Sequence, residues 1–210
     1  MTRRKPAHSP EKRYDRAYFD KWYRHPRHCV ATAAGRGRKV AMVVAIAEYQ
    51  LGRPIRSVLD VGCGEASWRA ALRRLRPGVR YVGVDGSPYV VERFGRRRGI
   101  RRGTFGSLDA AVGLDEPFDL VVCADVLQYV PTAELVRGLR HVRALLGGVA
   151  YLEAFTLADD LEGDRRGWQD RSPATYRRLF RAAGLTPLGQ HCYVAGGLAT
   201  RTTALERAAT

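Results

Sequence analysis

Residues 58–66 read Val58-Leu59-Asp60-Val61-Gly62-Cys63-Gly64-Glu65-Ala66. An apolar run that meets two glycines is typical of a buried strand followed by a tight turn. Because Gly62 and Gly64 have no Cβ, the backbone of this turn can approach a ligand closely. A second apolar run ends in Asp85, and an acid at that place is suited to accept hydrogen bonds from a ribose diol. The stretch therefore predicts a nucleoside-binding strand and turn.

Two classes of cofactor use such a turn. A dinucleotide fingerprint has a third small residue, Gly or Ala, where this sequence has Ser67. Asp60 would also place a negative charge beside a pyrophosphate, whereas it would favour a ligand that carries an ammonium group. A ligand with ribose, adenine and an ammonium group is S-adenosylmethionine, which is the predicted cofactor.

Strand and helix signals alternate along the rest of the chain. The pattern predicts strands at 57–61, 81–85, 100–105, 118–123 and 148–155, and two more near 185–194 and 197–206. It predicts helices at 14–23, 38–50 and 66–75, one capped by Ser87, one at 132–146 capped by Thr132, and one from Ser172 to Gly184. Alternation with short turns is typical of parallel β-α-β units. We expect an α/β fold of the Rossmann-like, doubly wound type, with a mostly parallel seven-stranded sheet and helices on both faces.

Four pieces in this order carry a resemblance to a known family. They are the Asp60-x-Gly62-x-Gly64 loop, Asp85, the stretch 118–127, and Ala183-Gly184-Leu185. Over about residues 55–185 the sequence resembles the class I S-adenosylmethionine-dependent methyltransferases, small-molecule type. The basic and aromatic residues before this stretch predict an N-terminal arm or lid at 1–36, and the resemblance then implies a class I methyltransferase domain at 37–210.

The resemblance also implies roles for individual residues. Asp60 and the Gly62 backbone would hold the methionine ammonium, and Asp85 would bind the ribose hydroxyls. The turn at 106–108 would lie along the adenine, with Asp109 or water for its amino group, and Ala124 and Asp125 would border the transferred methyl. The cofactor-binding residues that we expect are Asp60, Gly62, Cys63, Gly64, Asp85, Gly86, Ser107, Leu108, Ala124 and Asp125.

The segment after the fourth predicted strand narrows the choice of methyl acceptor. Ala124-Asp125-Val126-Leu127 differs from the (N/D)-P-P-(Y/F) tetrapeptide of enzymes that methylate exocyclic base amines. Cys123 lies inside the strand and is interpreted as a core residue rather than a nucleophile. Asp125 with Asp159 and Asp160 departs from the usual carboxylate pattern of a magnesium site, so no metal is expected. We expect methyl transfer to an O or N atom of a small molecule, a metabolite or natural product.

Polar and aromatic residues outside the glycine loop are candidates for the acceptor site. The substrate-binding candidates are Tyr18, Trp22, Tyr23, Tyr129 and Trp168, with packing against the sheet edge as the alternative for the N-terminal aromatics. Candidate catalytic residues are Asp125, Glu153 and His25, with His28 as a further option. The loop at 156–171 is interpreted either as a substrate lid or as a partner for the basic arm through its acidic residues.

The charge distribution keeps other functions open. The chain has 210 residues and a formal net charge of +15, much of it in the first 40 residues. This arm and the arginines between Arg93 and Arg102 support an RNA- or protein-directed methyltransferase as the alternative, with nucleic acid as a candidate partner. A non-catalytic binding protein is a third reading. Scattered cysteines and the lack of an apolar signal core or membrane span lead us to expect a cytoplasmic protein.

Overall fold

The structure is a computed structural model that describes residues 12–25, 32–113, 116–159 and 164–208 of the chain. The predictions for arm residues 1–11, for His28 and for Asp160 concern residues outside the described ranges. The division into an arm at 1–36 and a domain at 37–210 stays a prediction.

The described strands form a seven-stranded sheet. They are β1 (Ser57–Val61), β2 (Arg80–Asp85), β3 (Ile100–Arg102), β4 (Phe118–Cys123), β5 (Leu146–Leu152), β6 (Thr186–Gly189) and β7 (Cys192–Val194). Their order is β3-β2-β1-β4-β5-β7-β6, and β7 runs antiparallel to both of its neighbours while the other pairs are parallel. The predicted doubly wound, mostly parallel sheet is confirmed. The strand order reverses between β1 and β4, and ligands bind at such a switch point.

Helices cover both faces of the sheet. They are α1 (Arg16–Phe19), α2 (Ala33–Leu51), α3 (Arg69–Leu75), α4 (Pro88–Arg98), α5 (Leu108–Val112), α6 (Thr132–Leu145), α7 (Pro173–Ala182) and α8 (Gly196–Arg201), with a π-helical turn at Asp20–Arg24. One core cluster packs α5, α6 and α7 on the sheet, and a second packs α2 and α3 on its other face. Alternate residues of β4 feed the two clusters: Val121 joins the first, and Leu120 and Val122 join the second.

The C-terminal part differs from the predicted pair of strands at 185–194 and 197–206. The first range contains a whole hairpin, β6 and β7, because Gln190 and His191 both take positive φ angles of 50° and 60°, as a two-residue type I′ turn requires. The second range contains α8 instead of a strand. Leu198 and Ala199 both pack on the α2 side of the core, which adjacent residues of a strand cannot do because they point to opposite faces.

Several element boundaries also differ from the sequence pattern. Helix α3 begins at Arg69 rather than at Ala66, because Ala66 takes a positive φ of 57° that a right-handed helix excludes. Thr132 is the first residue of α6 and not its cap; that place belongs to Pro131. The predicted caps Ser87 and Ser172 are confirmed, since their hydroxyls accept from the Val90 and Thr175 amides. Strand β3 ends at Arg102, before the predicted 105.

The N-terminal aromatic stretch is helical as predicted, in two short pieces. Asp15 caps α1 by accepting a hydrogen bond from the Tyr18 amide at 3.0 Å, and the π-helical turn follows directly. Among the described residues, no helix is long and apolar enough to cross a bilayer.

Candidate functional site

The turn after β1 is fixed by its glycines and by β2. Gly62 and Gly64 have positive φ angles of 67° and 52°, which favour glycine. A Cβ on Gly62 would lie 2.5 Å from Val126 Cγ2, and one on Gly64 would lie 3.2 Å from Phe19 Cε1. The Gly62 and Cys63 amides donate to the Val84 carbonyl oxygen at 2.8 and 3.2 Å. The turn therefore presents bare backbone to the space above it, while these two amides face the sheet.

Asp85 joins the two turns at the carboxyl ends of β1 and β2. Its Oδ2 accepts from the Gly64 amide and its Oδ1 accepts from the Ser87 amide, both at 2.8 Å. Burial raises the pKa of Asp85, and the two amides oppose that rise. A carboxylate oxygen accepts more than one hydrogen bond, so Asp85 keeps capacity for donors from a ligand in the cleft that it lines.

Asp60 is buried below the cleft, whereas the resemblance implies that it contacts the ligand. It is 3% exposed, and its Oδ2 accepts from the Tyr81 hydroxyl at 2.7 Å. Burial raises the pKa of Asp60 to about 7, and the Asp85 charge adds to that rise, whereas the Tyr81 hydrogen bond opposes it. Asp60 is not among the residues that line the cleft.

The cleft lies over the carboxyl ends of β1, β2 and β4, at the switch point of the sheet. Its volume is about 890 Å³, counting the space that opens to solvent, which is within the usual range for small-ligand sites. It is lined by Tyr14, Tyr18, Phe19, Tyr23, Val61, Gly62, Gly64, Asp85, Gly86, Ser87, Gly103, Thr104, Phe105, Asp125, Val126, Tyr129, Val130, Pro131 and Glu134. A smaller cavity of about 570 Å³, between α7 and the β6–β7 hairpin, is lined by none of the predicted site residues.

The N-terminal segment 12–25 forms one wall of the cleft. Four of its aromatic side chains line the cleft, and Phe19 is buried against Tyr89 of α4. The Tyr14 carbonyl oxygen accepts a hydrogen bond from the Ser87 hydroxyl, and Arg24 forms an ion pair with Glu65. The segment is therefore held to both turns that shape the site.

A second set of contacts holds the segment at the other side of the cleft. Lys12 forms a 2.9 Å ion pair with Asp164, and its Nζ lies 3.7 Å from the centroid of the Tyr129 ring. The Tyr129 hydroxyl donates to the Asp164 carbonyl oxygen at 2.5 Å. The 156–171 loop was interpreted either as a substrate lid or as a partner for the basic arm. The Lys12–Asp164 ion pair is a contact between the arm and this loop, so it agrees with the second interpretation. Loop residues 160–163 lie outside the described ranges.

Asp125 stands at the tip of β4 and lines the cleft. It takes a positive φ of 60°, and its Oδ1 accepts from Gln128 Nε2 at 2.5 Å. Burial raises the pKa of Asp125 to about 6; the nearby Glu153 adds to the rise, and Gln128, Lys39 and Lys12 oppose it. Gln128 is fully buried, and its Oε1 has no hydrogen-bond partner among the described residues.

Glu153 lies at the end of β5, behind this tip. It is buried, pairs with Lys39 of α2 and accepts from the Tyr151 hydroxyl at 2.8 Å. Its carboxylate thus has two partners in the protein, and Glu153 does not line the cleft.

The structure brings part of the predicted set together. The cleft is lined by Gly62, Gly64, Asp85, Gly86 and Asp125 from the cofactor set and by Tyr18, Tyr23 and Tyr129 from the substrate set. The residues placed outside its lining are Asp60, Cys63, Ser107, Leu108, Ala124, Trp22, Trp168, Glu153 and His25. Leu108 is fully buried in the core, and Ser107 caps the turn at 105–107 together with Thr104. Trp168 packs edge-on to Tyr129.

Several lining residues were missed by sequence reasoning. Gly103, Thr104 and Phe105 line the cleft where residues 106–108 were expected, because β3 ends three residues earlier than predicted. Phe19, Val126 and Glu134 also line it. The stripe of aromatics at helical spacing was a signal for Phe19, whereas nothing in the local sequence marked Glu134.

These features define a class of protein. The class I methyltransferase fold has a doubly wound sheet whose last strand is antiparallel, a glycine turn after β1 and an acid at the end of β2. Residues 59–149 match the sequence model of the family described as methyltransferase domain. Residues 59–149 are therefore an S-adenosylmethionine-dependent methyltransferase domain within a class I fold. Both sequence predictions are confirmed.

A curated relative matches part of the chain. Over 111 residues the sequence is 36% identical to the release factor glutamine methyltransferase of Geobacter sulfurreducens. The match covers 48% of this chain and 38% of the relative, so the chain spans less than half of that protein's length.

Solved structures resemble the chain over more of its length. A sugar N-methyltransferase from Streptoalloteichus sp. ATCC 53650 superposes with a TM-score of 0.65 at 18% identity, covering 93% of this chain and 98% of that one. An amino pentose methyltransferase from Micromonospora echinaspora, solved with S-adenosylmethionine bound, gives a TM-score of 0.57 at 19% identity, covering 88% and 98%. At these identities the likeness concerns the fold.

Proposed function

We propose that this protein transfers the methyl group of S-adenosylmethionine to an O or N atom of a small molecule. The observation that carries the proposal is the wall of the cleft formed by segment 12–25, whose aromatic side chains stand over the glycine turn. Such a wall places aromatic side chains next to the cofactor turn, and a cleft of this size is suited to a small acceptor. The names of the sugar N-methyltransferase and the amino pentose methyltransferase agree with this class of acceptor.

The residues of the cleft fit the cofactor. Gly62 and Gly64 line the cleft without side chains, so a ligand can approach the backbone of the turn closely. Asp85 has free acceptor capacity for the ribose hydroxyls, and Gly103 to Phe105 line the part of the cleft that we assign to the base. When bound, S-adenosylmethionine supplies an electrophilic methyl group with a good leaving group.

The protein's own work is then to orient the acceptor and to receive its proton. Methyl transfer is an in-line displacement, so confinement of the nucleophile contributes much of the rate. Asp125 is the lining carboxylate at the tip of β4 and is suited to receive a proton from the acceptor. Glu153, held by Lys39 and Tyr151 behind it, raises the basicity of Asp125 through repulsion.

A second candidate function is methyl transfer to an RNA or a protein. Arg93, Arg96, Arg97, Arg101 and Arg102 are exposed on α4 and β3, and a polyanion would bind such a surface in a salt-dependent way. The curated relative is named for a protein substrate. Arg98 is excluded from this surface, because it donates to the Glu65 carbonyl oxygen and stacks on Phe94.

One labelling experiment separates the two candidates. The purified protein is incubated with methyl-labelled S-adenosylmethionine and a cell extract, which is then dialysed. The dialysable fraction is chromatographed to remove unreacted S-adenosylmethionine. We expect a newly labelled small molecule in it, lost with Asp85→Ala and retained with Arg97→Ala. Label confined to the retained macromolecules, and reduced by Arg97→Ala, would favour the alternative and contradict the proposal.

A further inference from the structure

The cleft has the opposite electrostatic character from the rest of the protein. The chain carries a formal net charge of +15, yet the described residues that line the cleft include no Lys, Arg or His. The ionisable acids among them are Asp85, Asp125 and Glu134. A concave site lined by acids attracts cations, although acids alone do not define a ligand.

The three carboxylates differ in the hydrogen-bond partners that the protein gives them. Asp85 accepts two backbone amides, from Gly64 and Ser87. Glu134 accepts the Gly106 amide at 3.2 Å, beside the turn that we assign to the base. Asp125 accepts a neutral side-chain amide from Gln128, and none of the ion pairs between described residues involves it.

The two lysines whose charges act on Asp125, Lys12 and Lys39, are paired with other acids. Lys12 pairs with Asp164 at 2.9 Å, and Lys39 pairs with Glu153. Within the described ranges, Asp125 therefore carries a cleft carboxylate that has no ion-pair partner of its own.

The aromatic wall next to Asp125 already holds an ammonium group. Lys12 Nζ lies 3.7 Å from the Tyr129 ring centroid, 5.1 Å from that of Tyr14 and 5.2 Å from that of Tyr18. All three rings line the cleft. Tyrosine rings attract cations through their negative faces, and such rings grouped together are a known way to recognise alkylated ammonium ions. The wall is therefore chemically suited to a cationic amine.

From these observations we infer that the acceptor is an amine that binds as its ammonium ion, between Asp125 and the rings of Tyr18 and Tyr129, and that the protein is an N-methyltransferase. The inference rests on the proposed function and narrows it from O or N to N.

The transfer balances with the groups present. The bound ammonium gives one proton to the Asp125 carboxylate and becomes a neutral amine. Its lone pair then forms the new N–C bond to the methyl carbon, while the C–S bond breaks and its electron pair stays on sulfur. The products are a methylated ammonium and S-adenosylhomocysteine, and Asp125 returns its proton to water.

A matched pair of small probes tests the inference without turnover. Choline and its neutral carbon isostere 3,3-dimethylbutan-1-ol have the same shape and differ in charge. Each is titrated into the protein saturated with S-adenosylhomocysteine, and binding is followed by the shift in Tm. We expect choline to raise the Tm and the isostere to have no effect. Equal shifts from both probes would overturn the inference.

Variants then test the residues named. Asp125→Asn keeps the acceptor for Gln128 and tolerates a positive φ, so we expect it to fold and to bind choline at least tenfold more weakly. Glu92→Gln, the same change on the exposed face of α4, serves as the control and should bind choline normally. Tyr129→Leu should weaken binding, whereas Tyr129→Phe should retain it because the ring remains. Unchanged choline binding by Asp125→Asn and Tyr129→Leu would refute the site.

Calorimetry with S-adenosylhomocysteine separates this inference from the proposed function. A wild-type protein that does not bind S-adenosylhomocysteine would contradict the proposed function itself. If Asp125→Asn weakens S-adenosylhomocysteine and leaves choline binding intact, Asp125 serves the cofactor and the inference is wrong. Methyl transfer to tyramine but not to its alcohol analogue tyrosol, with labelled cofactor, would support the inference by a second route, and the reverse preference would overturn it.

Discussion

Gly64 donates its backbone amide to the Asp85 carboxylate at 2.8 Å, so the glycine turn after β1 and the acid after β2 form one hydrogen-bonded unit. The same carboxylate accepts the Ser87 amide, which leads into α4. Strands β1 and β2 are parallel neighbours in register from Ser57–Arg80 to Val61–Val84. The two halves of the cofactor motif therefore position each other, and a change in one should alter the other.

Replacing Asp85 tests this unit. Asp85→Ala removes the acceptor for two amides and the acceptor that we propose for the ribose hydroxyls, so we expect it to weaken S-adenosylhomocysteine binding by about 1–3 kcal/mol. Asp85→Asn, which keeps one carbonyl acceptor, should lose less. Isothermal titration calorimetry measures both, with Glu92→Gln as a control. An unchanged dissociation constant for Asp85→Ala would contradict the assignment of Asp85 to the cofactor.

The glycine turn makes a prediction for stability. Gly62→Ala introduces a Cβ 2.5 Å from Val126 Cγ2 at a φ of 67°, so we expect it to lower the free energy of unfolding by about 1–3 kcal/mol. Gly37→Ala is the matched control. It lies inside α2 with nothing within 4 Å of the new Cβ, so it should stabilise the protein by roughly 0.5–1 kcal/mol.

Urea denaturation of the two alanine variants gives the comparison. The double variant Gly62→Ala/Val126→Ala removes the clash but keeps alanine at a positive φ. It should therefore recover only the part of the lost unfolding free energy that the clash causes. Equal stabilities for Gly62→Ala and Gly37→Ala would show that the turn relaxes at no cost.

Asp60 predicts how the stability of the ligand-free protein depends on pH. Burial raises its pKa from 3.8 to about 7, so the folded state binds this proton more tightly than the unfolded chain does. The proton on Asp60 therefore stabilises the folded state. This stabilisation is fully present below pH 4 and is lost as the pH rises through 7. Asp125, whose pKa is raised to about 6, acts in the same direction.

The measurement is the free energy of unfolding between pH 5.5 and 8. Asp119, Glu48 and Asp164 have lowered pKa values, so their contributions change only below this window. Across this window we expect the free energy of unfolding of Asp60→Asn to fall by about 1 kcal/mol less than that of the wild type, since one pKa unit corresponds to about 1.4 kcal/mol. A slope that the substitution leaves unchanged would mean that Asp60 is charged in the folded state at pH 7.

Sequence reasoning succeeded where the cause of a structural feature lies within a few neighbouring residues. The buried strands β1 and β4 are continuous apolar runs, and the Ser87 and Ser172 caps act within three residues. These were predicted because the whole cause lies in the local sequence. The Gln190–His191 turn lacks the glycine that marks most two-residue hairpins, so the reversal there was missed.

The site was harder to predict for a related reason. The burial of Asp60 depends on the Tyr81 hydroxyl from the neighbouring strand, and the contribution of Glu134 depends on where α6 meets the turn at 105–107. Both are contacts between segments far apart in the sequence. The glycine turn and Asp85 were accessible to sequence reasoning because their chemistry requires particular residue types at fixed places.

Lys12 carries the last prediction, which concerns the wall of the cleft. Its ammonium group contacts three tyrosine rings and pairs with Asp164, with side-chain exposures of 13% and 18% for the two partners. Lys12→Gln removes both interactions, so we expect hydrogen exchange in residues 14–23 to accelerate about fivefold, the equivalent of about 1 kcal/mol. Lys21→Gln is the control, because Lys21 is exposed and lies over Trp22 within the same segment. Equal exchange rates in the two variants would show that the Lys12 contacts do not hold the wall, which would leave Phe19 packing, the Ser87–Tyr14 hydrogen bond and the Arg24–Glu65 ion pair to do so.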